Sequence, residues 1–129
     1  VLRVSTATRS ALLAGDIEQP QEAALLQRAT ATGKSLKSDV LLVPHHGSKT
    51  SSTNEFLTAV GARDVIFPVG YRNRFGHPKD EVVARHAASG ARLHRSDRDG
   101  AVRLLLAPQG VAVRHERVES RRYWHGAAS

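Results

Sequence analysis

Asp39-Val40-Leu41-Leu42-Val43-Pro44-His45-His46-Gly47 (residues 39–47) is the stretch from which the architecture is read. Its apolar run is continuous rather than alternating, the mark of a strand covered on both faces, as in sheets flanked by other layers. Pro44 stops the run, and the chain turns polar at once through residues 45–51. Ser52 and Glu55 then stand at capping-box spacing, which predicts a helix over residues 53–60, closed by Gly61. Upstream, an apolar run at residues 10–14 leads into Gly15-Asp16, and residues 1–4 read as another strand. Between them and the central run, Pro20 suits a first helical position. Ala23, Leu26 and Ala29 recur at threes, so residues 20–31 read as an amphipathic helix closed by Gly33.

Downstream, residues 64–69 form the next predicted strand and residues 70–77 a loop. Pro78 opens a helix with Asp80 and Glu81 in its first turn and Val82, Val83 and Ala87 turned inward, ending at Gly90. Residues 91–95 and 101–107 are strands joined through Ser96-Asp97-Arg98-Asp99-Gly100, where Asp-Gly signals a tight turn. Residues 111–118 read as a last strand, and residues 119–129, with Trp124, as a polar tail. Helix-like and strand-like runs alternate throughout, which predicts an α/β (α+β) fold in one domain over residues 1–118.

The chain has 129 residues, 40% of them hydrophobic and 24% charged, which is ordinary globular usage and excludes wholesale disorder. There is no cysteine, so disulfides, thiolate zinc sites and a cysteine nucleophile are excluded. No apolar run reaches the roughly 18–20 residues a membrane span needs. The start, Val1-Leu2-Arg3-Val4, reads as the middle of a strand and not as a signal peptide, so the chain is expected to be a segment of a longer protein. Nineteen basic against twelve acidic residues leave a net charge of +7, compatible with an anionic partner or with solubility alone. Aromatics are only 5%, which gives little support to a base-stacking platform.

Three loops at strand ends carry the candidate chemistry. Asp16 follows a strand, where rigid backbone can aim a carboxylate at a cation; a turn aspartate bonding its own backbone is the alternative. His45 and His46 follow the buried strand. Adjacent residues of an extended chain face opposite ways, so one is expected to point at the site and the other at its flank. Imidazole is the commonest metal ligand, Gly47 permits a tight turn, and Ser48 can donate to an anion. His77 lies beside Arg72 and Arg74 next to a predicted helix start, a setting that favours anions and lowers the histidine's pKa; a capping role is the alternative. His86, His94, His115 and His125 read as structural or solvated.

Four motifs in series carry a resemblance: residues 12–18 (Leu-Leu-Ala-Gly-Asp-Ile-Glu), 38–52 (Ser-Asp-Val-Leu-Leu-Val-Pro-His-His-Gly-Ser-Lys-Thr-Ser-Ser), 73–78 (Asn-Arg-Phe-Gly-His-Pro) and 96–102 (Ser-Asp-Arg-Asp-Gly-Ala-Val). Together they resemble the C-terminal half of the metallo-β-lactamase-like domain of ComEC-type competence proteins, which act in DNA uptake at the bacterial inner membrane. The resemblance covers residues 2–107. It implies half of an αββα sandwich, a mixed sheet with helices on one face. Two divalent metal ions, zinc or manganese, are held between the halves. Asp16 would bridge the metals, His46 would be the late histidine ligand, and His45 and His77 would act on substrate. Ser48, Lys49 and Arg74 would bind phosphate, with Lys49, Arg72 and Arg74 on nucleic acid. The His-x-His-x-Asp-His-type motif of the first half is absent here.

The implied chemistry is phosphodiester hydrolysis of incoming DNA. Two metals roughly 3.5–4 Å apart polarise a phosphoryl oxygen and activate water. The implied partners are DNA, the N-terminal half of the same domain and the membrane channel of the parent protein. Self-association of the half-domain is also expected. The implied location is extracytoplasmic or periplasmic. Two other readings remain: a non-catalytic basic nucleic-acid-binding module, and a scaffold that keeps only the loop architecture.

Overall fold

A computed structural model describes residues 1–120. The apolar run at the centre of the sequence becomes β3 (Val40–Leu42), the middle strand of a five-stranded sheet in the order β1-β2-β3-β4-β5. β1 (Leu2–Ser5) pairs antiparallel with β2 (Ser10–Leu13). β2, β3, β4 (Asp64–Phe67) and β5 (Arg92–Arg95) run parallel. The fold is therefore α/β with a mixed sheet.

Register explains why β3 reads as an unbroken apolar run. Leu12, Leu41 and Val65 are aligned across three strands and belong to the core beneath the helices. Their neighbours Ala11, Val40 and Ile66 face the opposite way, because side chains alternate along a strand, and form a second core. α1 (Gln19–Thr32), α2 (Asn54–Val60) and α3 (Asp80–Ala88) cover the first face. They contribute Leu25, Phe56, Leu57, Val60 and Val82. The second face is covered by a hairpin of β6 (Val102–Ala107) and β7 (Gly110–His115), through Val102, Leu104, Leu106 and Val111. Polar bonds add to this contact: Asp64 Oδ1 accepts from His94 Nε2 at 2.9 Å, and His94 Nδ1 lies 2.9 Å from His115 Nε2.

Several expectations are corrected. The connection between β5 and β6 is not a tight turn but a short helix, α4 (Ser96–Asp99), and the two strands lie in different sheets. The Asp99 carboxylate is taken by the Arg95 backbone N–H at 2.9 Å, which closes a helical turn instead of a hairpin. The last strand stops at His115 and gives way to α5 (Glu116–Glu119). Thr53, not Ser52, caps α2, accepting from Phe56 N. In α1 the buried residue is Glu22, while Ala23 is exposed. α3 turns inward Val82 and His86, and Ala87 is exposed. The expected polar tail at residues 119–129 begins inside α5, at Glu119, and its residues 121–129, His125 among them, lie outside the described residues. No helix among the described residues is long and apolar enough to cross a membrane.

His86 has a thermodynamic consequence. It is buried with its ring edge-on to Phe67 at 5.2 Å, and Nε2 has no hydrogen-bond partner. Burial, and then the charge of Arg85, push its pKa down from 6.5 to about 4. The unfolded chain thus takes up this proton first as pH falls. The histidine's contribution to stability is intact above pH 6.5 and is lost progressively down to about 4. Chemical denaturation at neutral pH and near pH 4 should show roughly 3 kcal/mol lost through this group. His86→Leu should flatten the slope, and an unchanged slope would exclude His86 as its source.

Candidate active site

The carboxyl ends of β2, β3 and β4 bring the predicted loops together. After β2 the chain turns at Gly15, whose carbonyl accepts from His45 N at 2.9 Å, so the first two loops are joined by backbone. After β3, Pro44–Gly47 form a short kinked turn. Within it both His45 (φ 47°) and His46 (φ 54°) are left-handed, a conformation that non-glycine residues seldom adopt. The chain is therefore not extended here, so the alternation from which opposed histidines were expected does not apply to this turn. Gly47 makes the turn possible. A Cβ there would sit 2.6 Å from Pro78 Cβ, and its carbonyl accepts from Lys79 N at 3.0 Å, tying in the third loop.

The two histidines have separate partners. His46 Nδ1 lies 2.7 Å from the carbonyl oxygen of Pro68, which can only accept, so Nδ1 carries the proton. Nε2 then presents its lone pair when the ring is neutral, and it lies 3.5 Å from Asp16 Oδ1. Two acceptors facing each other need a proton or a cation between them. A backbone carbonyl that fixes the tautomer behind a ring nitrogen is the usual support of a metal-binding histidine. Among the described residues no group of three or more His, Cys, Asp or Glu side chains converges as a metal site. Asp16 and His46 thus set two donor atoms side by side, one oxygen and one nitrogen.

His45 Nδ1 lies 3.0 Å from Glu18 Oε1, although the angle is not that of a hydrogen bond. Glu18 is held in turn by the Thr50 hydroxyl, which donates to the same oxygen at 2.9 Å. Glu18 is a site residue that sequence reasoning missed; in the sequence it stands only as the last residue of the first motif. Its signal was present: it follows Asp16 by two residues in the same strand-end loop. His77 sits 6.2 Å from His45 between ring centroids. Its pKa is held below the ordinary imidazole value by burial first, then by Lys79, His45 and His46. The expected cause was the neighbouring arginines and a helix start; α3 instead begins three residues later, at Asp80.

The remaining candidates divide. Ser48 is buried and its hydroxyl pairs with Thr50 Oγ1 at 3.0 Å, so it is engaged inside its own loop. Lys49 is exposed on that loop. Arg72 and Arg74 are exposed, with guanidinium carbons 5.2 Å from the Tyr71 ring and 5.3 Å from the Phe75 ring. His46, Asn73, Phe75 and His77 border a cleft of about 220 Å³.

Most of the chain aligns with segments of longer proteins. A competence protein, ComA, of Neisseria gonorrhoeae is 37% identical over 124 residues, 96% of this chain. The chain is homologous to a segment of competence proteins. The ComE operon protein 3 of Bacillus subtilis (strain 168) is 33% identical over 79% of the chain. The uncharacterized protein YcaI of Escherichia coli (strain K12) is 28% identical over 97%. The chain spans only 17%, 13% and 16% of the lengths of these relatives. No family model and no solved structure matches it.

Proposed function

We propose that this chain is the C-terminal half of a metallo-β-lactamase-like domain that hydrolyses DNA phosphodiesters during uptake for natural transformation. The observation that carries the reading is His46, with its proton held by the Pro68 carbonyl and Nε2 set against Asp16. The similarity to competence proteins supports the DNA-uptake context. The site fits a divalent cation only in part: Asp16 and His46 would hold one side of it, and a further segment of a longer protein would complete the shell. A bound divalent cation, zinc or manganese, supplies Lewis-acid charge on a phosphoryl oxygen and acidifies water.

This chain's residues do the rest. The left-handed turn holds His46 and His45 at one strand end. Glu18 sets a carboxylate against the Nδ1 side of His45 and leaves Nε2 for a phosphate oxygen or leaving group. His77, kept neutral at pH 7, can accept or relay a proton beside it. Lys49 supplies mobile positive charge for the DNA backbone. The parent protein is read as a membrane protein, with this domain outside the cytoplasm.

The test measures bound metal and DNA cleavage for this chain and for a longer competence protein containing the corresponding segment. The longer protein should cleave with manganese or zinc and stop with chelator, while this chain alone binds metal weakly and cleaves little. A longer protein that cleaves nothing under any metal, or cleaves equally in chelator, would remove the hydrolase reading. DNA binding that survives chelator and falls steeply with salt, without cleavage, would favour the non-catalytic basic module.

A further inference from the structure

The loop after β4 has a composition that neither core packing nor metal chemistry uses. From Val65 to Lys79 the chain holds no carboxylate, and within it Tyr71-Arg72-Asn73-Arg74-Phe75 alternates aromatic, basic and amide side chains. Among the described residues, Phe56 and Phe67 are fully buried, whereas Tyr71 and Phe75 are 66% and 63% exposed. Both exposed rings lie in this one loop. Each has a guanidinium beside it: Arg72 and Arg117 at Tyr71, within 5.5 Å, and Arg74 at Phe75.

The loop is also held in shape. Asn73 grips His77 at both ends of its peptide, with Oδ1 accepting from His77 N at 2.9 Å and Nδ2 donating to His77 O at 2.7 Å. Lys79 Nζ donates to the Phe75 carbonyl at 2.9 Å. A loop fixed by its own bonds loses little entropy when it binds, so its exposed rings are ready for contact. Phe75 stacks against His77 at 6.1 Å and 19° and borders the cleft that reaches His46. A group lying on Phe75 is therefore one step from the candidate reaction centre.

We infer that this loop is a stacking platform for unpaired nucleic-acid bases, with Phe75 and Tyr71 taking the bases and Arg72 and Arg74 the adjoining phosphates. Flat rings accept any base by its π-face, and interleaved arginines match the backbone charge. Paired bases hide those faces inside the duplex, so the platform selects single strands. The inference rests on the DNA reading above and narrows its substrate class. Aromatic content alone gives such a platform little support; the inference turns on the placement of the rings and not on their number.

The experiment titrates labelled oligothymidylate, oligouridylate and a duplex against this full chain in chelator, by fluorescence anisotropy. Phe75→Ala and Tyr71→Ala should each weaken single-strand binding about ten-fold and leave duplex binding within about two-fold. Phe75→Leu should lose as much as alanine, and Phe75→Trp should keep the affinity, which separates stacking from mere apolar contact. Circular dichroism checks that each variant is folded. Binding of both single strands supports base stacking as the shared chemistry, and a preference between them identifies DNA or RNA as the source. Equal losses on single strands and duplex, or no loss, overturn the inference. Because chelator abolishes cleavage but not stacking, a protein that binds single strands selectively yet never cleaves would leave this platform standing and the hydrolase reading fallen. Cleavage without single-strand selectivity would do the reverse.

Discussion

Glu22→Ala should cost about 4 kcal/mol of folding stability, read from guanidinium denaturation midpoints. Glu22 is fully buried on α1. Its Oε1 accepts from Ser52 N at 2.6 Å, and its Oε2 accepts from Thr53 N at 2.9 Å and the Thr53 hydroxyl at 2.8 Å. Arg85 donates to the Ser52 carbonyl at 2.6 Å, so charge of the opposite sign lies across the same segment. Truncation strands two backbone N–H groups, each costing roughly 1–3 kcal/mol when buried without an acceptor, and opens a cavity. Domains of this size are stable by only about 5–15 kcal/mol, so the loss is a large share. Glu22→Gln keeps the volume and one acceptor, but sets an amide donor against another donor; about half the loss is expected. The effect also reaches the site. The segment pinned by Glu22 carries Ser52 in a left-handed conformation (φ 61°) and continues back through Ser51, whose hydroxyl donates to the Pro44 carbonyl at 3.0 Å. A loss below about 1 kcal/mol for Glu22→Ala would mean that water replaces the carboxylate and that the loop needs no anchor.

Glu22 also shows where a one-dimensional reading stops. The period of α1 was legible, yet its buried residue, Glu22, was not, because a carboxylate is counted as polar whatever it bonds; Ala23 is exposed, while Leu26 and Ala29 are half-buried. The reading of β3 succeeded for the opposite reason. Val40 to Val43 are apolar on both sides, and only a strand between two covering layers suits such a run. Gly33 and Gly61 were readable as helix ends, since φ of 66° and 57° admits glycine more easily than other residues. The Asp99-Gly100 pair misled because a tight-turn signal says nothing about what its flanking strands pair with, and β6 finds β7 instead of β5. At the site, the three loops were visible as separate motifs. Their partners were not: Pro68 contributes a carbonyl and Glu18 a carboxylate through contacts made only when the strands lie side by side. Backbone acceptors have no sequence signature at all.

His46→Ala and Asp16→Asn should each lower metal-dependent cleavage by the longer protein by about 100-fold or more, with a parallel loss of bound metal measured by elemental analysis. Partners one step beyond a metal are already worth about 10–100-fold in affinity or activity, and a direct ligand should be worth no less. Asp16→Asn is the sharper test, because it keeps the shape and removes the charge. The pair is half-exposed or more, so folding should be unaffected and the stability of both variants should stay within about 0.5 kcal/mol of the parent. Glu18→Gln separates the two histidines. It removes the charge facing His45 Nδ1 and the Thr50 hydroxyl while keeping the shape of the side chain at the N-cap of α1, so metal content should hold while the turnover rate falls. That split follows from geometry: His46 is backed by a neutral carbonyl and faces a carboxylate, whereas His45 is backed by a carboxylate and leaves its far nitrogen open. If Glu18→Gln lost metal as fully as His46→Ala, the two histidines would be one ligand set with no division of labour between them. If Asp16→Asn kept both metal and turnover, the 3.5 Å pair would be an ordinary exposed ion pair worth little in water.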